Sequence, residues 1–288
     1  MNGARNGLTG SARGARRLER LCVWALLAGL TCLFLIPFLI TLSNSLKTFA
    51  QIYRQPQIWL PWPPQFSNYV EIFYVLPFFT FFKNTVLITA LALFGQVGSA
   101  CLVGYSFARL RWPLRDFCFV ILLSTMMLPG QVTMIPIFLL FNALGWVNTW
   151  LPIIVPAYFG VNVFNVFLMR QFFKTIPVSL EEAALIDGAG HLRILSAIML
   201  PLSKPAVLTI SVLGFVHWWN DFMGPLIYLS DHMKYPISLG MKMFGDAQLT
   251  NPHYIMAASI VAVIPVALIF FLAQKYFVQG IALTGTKG

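Results

Sequence analysis

Two groups of side chains in this sequence have the types and spacing to do chemistry. The first is a polar run between two long apolar segments, containing Glu181, Glu182, Asp187, Arg193 and Lys204. Charges at this density must be solvated or docked onto another protein, so the run reads as a contact surface in an aqueous compartment. The second is Trp218-Trp219-Asn220-Asp221. If a helix starts at Pro205, Asp221 lies about 24 Å along it at roughly 1.5 Å per residue. A carboxylate at that depth in hydrocarbon is costly and by default functional. One reading makes Trp219, Asn220 and Asp221 the lining of a path for a polyhydroxylated solute, which pairs apolar faces with hydroxyl-bonding groups. The other makes them an interfacial Trp pair beside a structurally paired carboxylate.

Other chemistries find little support. Cys22, Cys32, Cys101 and Cys118 fall in or beside apolar segments without C-x-x-C spacing, as reduced core residues would. His191, His217, His232 and His253 are scattered and lack metal-ligand spacing, and no two carboxylates project from one apolar segment. Gly280 to Lys287 resembles a phosphate loop, but Lys and Thr are in the wrong order and no helix follows. No metal, nucleotide or catalytic constellation is expected on this chain.

The polar run should fold as helix, glycine turn, helix. Ser179 and Glu182 stand in the relation of a capping box, and Pro177 suits the extended approach to it. Gly188 is placed for a left-handed stop. A second short helix from about Leu192 should end at Pro201.

The elements that must position these groups are membrane spans. Of 288 residues, 58% are apolar and 10% charged, against about a quarter charged in soluble domains. Mean hydropathy is +0.77. The apolar runs accommodate six helices of about 20 residues, near 22–45, 84–107, 117–140, 152–173, 206–229 and 254–277. The 53-residue run 117–169 holds two of them, parted by Asn142–Asn148 and Pro152. Of 19 Lys and Arg, 14 fall in the N-terminal tail, 108–116, 170–205 and the C-terminal tail. The positive-inside rule therefore puts both termini and residues 174–205 in the cytoplasm, and 47–82 and 230–253 outside. The net charge of +10 largely reflects this asymmetry, so nucleic acid is not an expected partner. Residues 1–20 read as a disordered basic tail and 21–288 as one all-α transmembrane domain. Gly95 with Ser99, and Ala100 with Gly104, supply small faces for close helix packing. Pro129-Gly130, Pro136 and Pro265 free backbone groups that only protein or a cavity can satisfy.

The polar run also resembles a known signature. Glu182-Ala183-Ala184, Gly188, Ile198 and Leu200-Pro201 match the EAA motif of permeases in binding-protein-dependent ABC importers. Trp219 to Phe222, Pro225 to Tyr228, Gly104 to Arg109 and Gln274 to Gly280 resemble the carbohydrate branch, in particular the second permease of maltose-type systems. The resemblance covers about residues 20–288, and many members have Phe where this chain has Leu195. It implies a bacterial inner-membrane subunit carrying a sugar or polyol, with a second permease, two cytoplasmic ATPase subunits and an external solute-binding protein as partners. It makes Glu181, Glu182, Ala183, Ala184, Asp187, Gly188, Ile198, Leu200 and Pro201 the ATPase-coupling loop. This chain would hold no cofactor, ATP and Mg being bound by the ATPase subunits. The rival class, an ion-coupled secondary transporter, needs more intramembrane ionisable groups than Asp221 and gives the EAA loop no purpose.

Overall fold

The computed structural model describes residues 6–245 and 251–285, with side chains over 19–244 and 251–274. Residues 1–5 of the leader, 246–250 of the segment expected outside, 286–288, and the side chains of the 275–280 tail lie outside that description. Among the described residues four helices are long and apolar enough to span a membrane. There are six if two sharply bent pairs each count as one.

The first of two units comprises residues 1–71 and 251–260. Helix α1 (Asn6–Ser45) begins well inside the leader expected to be disordered. The correction has a local cause: Ala15, Arg16, Arg17, Leu18 and Glu19 are good helix formers, and an established helix extends more readily than it nucleates. The most apolar window of α1 has no buried residue. After α1, the one-turn α2 (Phe49–Ile52) is closed by a capping box between Thr48 and Gln51. Asn68 then donates to the carbonyls of Ser45 (2.8 Å) and Lys47 (2.9 Å) at the start of α3 (Asn68–Val75).

The second unit comprises residues 72–250 and 261–288, and α4 (Phe78–Arg109) is its axis. The next span is broken. Helices α5 (Arg115–Ser124) and α6 (Gly130–Ala143) belong to segments meeting at 103°, where a single helix over 117–140 was expected. Pro129 has no N–H to continue a helix, and it holds Leu128 extended (ψ 119°). The fourth span is assembled from α7 (Leu151–Ile154), a 3₁₀ turn at Val155–Phe159, and α8 (Val163–Thr175). Then come α9 (Val178–Ile186), α10 (His191–Ile194), a π-helical turn at Leu195–Met199, and α11 (Leu200–Leu202). Helix α12 (Lys204–Trp219) leaves the 191–202 segment at 84°. It stops at Trp219, and α13 (Met223–Tyr228) restarts after a break, so the helix expected over 206–229 is interrupted. Helix α14 (Ile237–Gly240) precedes α15 (Pro252–Gly285).

Small residues let these helices meet. A Cβ on Gly104 would sit 2.9 Å from Cβ of Met169 on α8, and one on Gly95 would overlap the Tyr158 ring. Ser99 donates to Ala157 O at 2.8 Å. Around these approaches Ala100, Tyr105, Val166, Met169, Phe173, Ile194, Met199 and Ile210 form a buried core.

Candidate functional site

The polar loop starts where α8 ends. Pro177, not Ser179, is the N-terminal boundary of α9, and no side chain caps it. The expected capping box is therefore not formed. Ile176 is extended (ψ 134°) before the proline, and Pro177 at ψ 133° leads into helix at Val178. Starting there puts Glu181 in the first turn, where the helix dipole favours an acidic side chain.

The far end of α9 follows the expectation closely. Gly188 has φ +79°. Its N–H reaches Leu185 O (3.0 Å), and the Ala189 N–H reaches Ala184 O (2.9 Å). Those two bonds make a Schellman stop. The second arm does not end at Pro201 but runs to Leu202. The π turn just before it widens the helix where the proline ring would meet the Ala197 carbonyl. Ile198 and Leu200 are half-buried and Pro201 is exposed.

Helix α9 has two unlike faces. Glu181 and Ala184 turn inward and are buried, whereas Glu182, Ala183, Leu185, Ile186 and Asp187 are exposed, Ile186 to 87%. The inward carboxylate has one hydrogen bond and one ion pair. Tyr105 Oη donates to Glu181 Oε1 at 2.8 Å, and Arg109 Nε lies 3.6 Å from Oε2. Arg109 Nη2 also donates to the carbonyls of Phe173 (2.6 Å) and Ile176 at the end of α8. Tyr105 and Arg109 are partners of the loop that its composition does not reveal. Their signal was a charged residue closing an apolar span, within Gly104 to Arg109.

The second group divides as well. Trp219 is buried, stacked on Phe215 and edge-on to Phe82, and its Nε1 donates to Ala262 O at 3.0 Å. Asn220 is exposed, its amide bonded to Val216 O at 2.8 Å. Asp221 Oδ1 accepts from the Gly224 N–H (3.2 Å) in the first turn of α13, and its carbonyl accepts from Ser238 Oγ (2.6 Å). The helix break thus leaves Asn220 accessible and lets Asp221 accept a hydrogen bond from the first turn of α13. An apolar groove of about 980 Å³ along α4 and α12 has only Ser196, Lys204 and Ser211 as polar members, and neither Asn220 nor Asp221 reaches it.

Up to six apolar spans, two of them bent, with a short helix on a polar loop between them, are a pattern found in transport proteins. Residues 100–283 match the family model described as "Binding-protein-dependent transport system inner membrane component". The chain belongs to that family. It is the permease subunit of a binding-protein-dependent importer, a multi-pass membrane protein whose role is transport. Among curated relatives, the permease is 32% identical to the melibiose/raffinose/stachyose import permease MelC of Bacillus subtilis over 96% of this chain and 100% of that one. It is 29% identical to the trehalose/maltose permease MalG of Thermococcus litoralis, over 93% and 96%. Among solved structures it superposes with TM-score 0.80 on a bacterial ABC transporter that imports the acidic polysaccharide alginate. There the identity is 29%, over 91% of this chain and 98% of that chain.

Proposed function

We propose that this permease forms half of the membrane path for a carbohydrate and couples it to ATP hydrolysis through α9. The exposed face of α9 carries the proposal. Glu182 and Asp187 flank Leu185 and Ile186 on a two-turn helix whose other side is anchored in the bundle. Apolar anchors with carboxylates at their edge suit a groove lined by basic residues in an ATPase subunit. A second permease would complete the path, two ATPase subunits would hold ATP and Mg, and an external binding protein would deliver solute. No cofactor is assigned to this chain. The basic asymmetry of its loops supports both termini and the 174–205 loop being cytoplasmic. Support for a carbohydrate solute comes from MelC, MalG and the alginate importer, together with the accessible Asn220 beside Asp221.

The test is disulfide crosslinking in membranes containing the whole transporter. Cysteine at Ile186 should crosslink to a cysteine in the ATPase cleft. Cysteine at the buried Ala184 should react poorly. Glu182→Lys should abolish uptake of labelled oligosaccharide while the permease still accumulates. Normal uptake by that variant, with no crosslink from Ile186, would overturn the assignment of α9.

A further inference from the structure

The inward side of α9 carries a charge where an apolar contact would suffice. Arg109 and Glu181 side chains are only 6% and 9% exposed. Taking such groups out of water is expensive and adds little net stability, so stability alone does not account for this pair. One element, α4, supplies both partners of this carboxylate, and through them it is tied to α8 and α10. Tyr105 and Arg109 come from the last turns of α4, and Arg109 also grips the final carbonyls of α8 at Phe173 and Ile176. Tyr105 Oη is also 3.5 Å from Nδ1 of His191, the first residue of α10.

The covalent attachments of α9 to α8 and α10 are short. On one side it is joined through Ile176-Pro177, on the other through Gly188-Ala189-Gly190, with Gly188 in the left-handed region. Beside the apolar contact of Ala184 with the core, Glu181 is the polar tie between α9 and the bundle. We propose that Glu181, held by Tyr105 and Arg109, is the positioning residue that transfers movement of α9 into α4. Helix α4 is built to pass such movement on. Gln96, midway, accepts from Trp218 Nε1 on α12 at 2.7 Å. At the opposite end Asn84 donates to the carbonyls of Met233 (2.8 Å) and Tyr235 (3.0 Å), and Thr85 Oγ1 accepts from the Ile237 N–H (2.7 Å). Those bonds link the α9 joint, through one helix of 32 residues, to the segment before and within α14.

The inference rests on the docking of α9 against an ATPase subunit, and its test separates the two. In proteoliposomes holding the complete transporter, solute moved per ATP hydrolysed is measured together with the Ile186→Cys crosslink. Glu181→Gln keeps the side-chain shape but removes the charge, and Tyr105→Phe removes one hydroxyl. Each should keep the crosslink while solute per ATP falls at least about fivefold, the low end of ordinary coupling between sites. Because the ratio is normalised to hydrolysis, mere loss of assembled protein does not move it. If Glu181→Gln fails to accumulate, Tyr105→Phe reads the same ratio. A wild-type ratio with the crosslink kept overturns the joint alone. Absence of the crosslink in the otherwise unaltered Ile186→Cys protein overturns the docking, and the joint with it.

Discussion

Trp218 Nε1 donates to Gln96 Oε1 across 2.7 Å, joining α12 to the middle of α4 between residues 122 positions apart. The bond is made in an apolar bundle where few substitutes exist. Gln96 is 2% exposed and its Nε2 has no partner. The approach is close because the neighbouring position on α12 is Gly214, where a Cβ would lie 2.6 Å from Gln96 Nε2.

Removing only one partner should therefore cost more than removing both. Trp218→Phe strands a buried amide, at about 1–2 kcal/mol. Gln96→Leu combined with Trp218→Phe leaves no orphaned polar group and should recover part of that loss. Thermal unfolding of the purified permease in detergent, for the two single variants and the double, gives the comparison. A double variant no more stable than the sum of the singles predicts would show that the bond is incidental.

Gly188 separates conformational strain from steric overlap. A Cβ there meets nothing within 4 Å, yet φ is +79°. Gly188→Val should cost about 1–2 kcal/mol locally through the left-handed backbone alone, whereas Gly188→Asn, whose side chain tolerates that region, should cost much less. Uptake by the complete transporter should follow the same order. Equal loss in both variants would point to the exposed surface at Gly188, not its backbone, as the feature that matters.

Spacing alone identified the small faces of α4, because packing at Gly104 requires only the absence of a side chain at the right period. It also located six apolar segments and the left-handed stop at Gly188. Direction was harder. Glu181 and Glu182 are adjacent and chemically alike, and which one turns inward depends on where α9 starts. A start defined by Pro177 in place of Ser179 changes which first-turn groups are free to be engaged from outside the helix. Arg109 was legible as a basic residue at a span's end, but its partners Phe173, Ile176 and Glu181 are more than 60 positions away. Hydropathy could not reveal the breaks at Leu128-Pro129 and Asn220–Phe222, since a kinked span is as apolar as a straight one.

Asp221 offers a way to separate a structural hydrogen bond from solute contact. Its Oδ1 accepts from the Gly224 N–H, a bond that an asparagine oxygen can replace. Asp221→Asn should leave unfolding of the permease close to wild type, while Asp221→Ala should lose this hydrogen bond at a cost of about 1 kcal/mol. A carboxylate that borders the solute path makes a further demand. Asp221→Asn should then alter the rate or oligosaccharide preference of uptake despite its normal stability, and so should Asn220→Ala, whose side chain is exposed and bonded only within its own helix turn. Competition among labelled and unlabelled oligosaccharides in cells expressing the whole transporter measures this. Wild-type rate and preference in both Asp221→Asn and Asn220→Ala would reduce this turn to a structural link between α12 and α13.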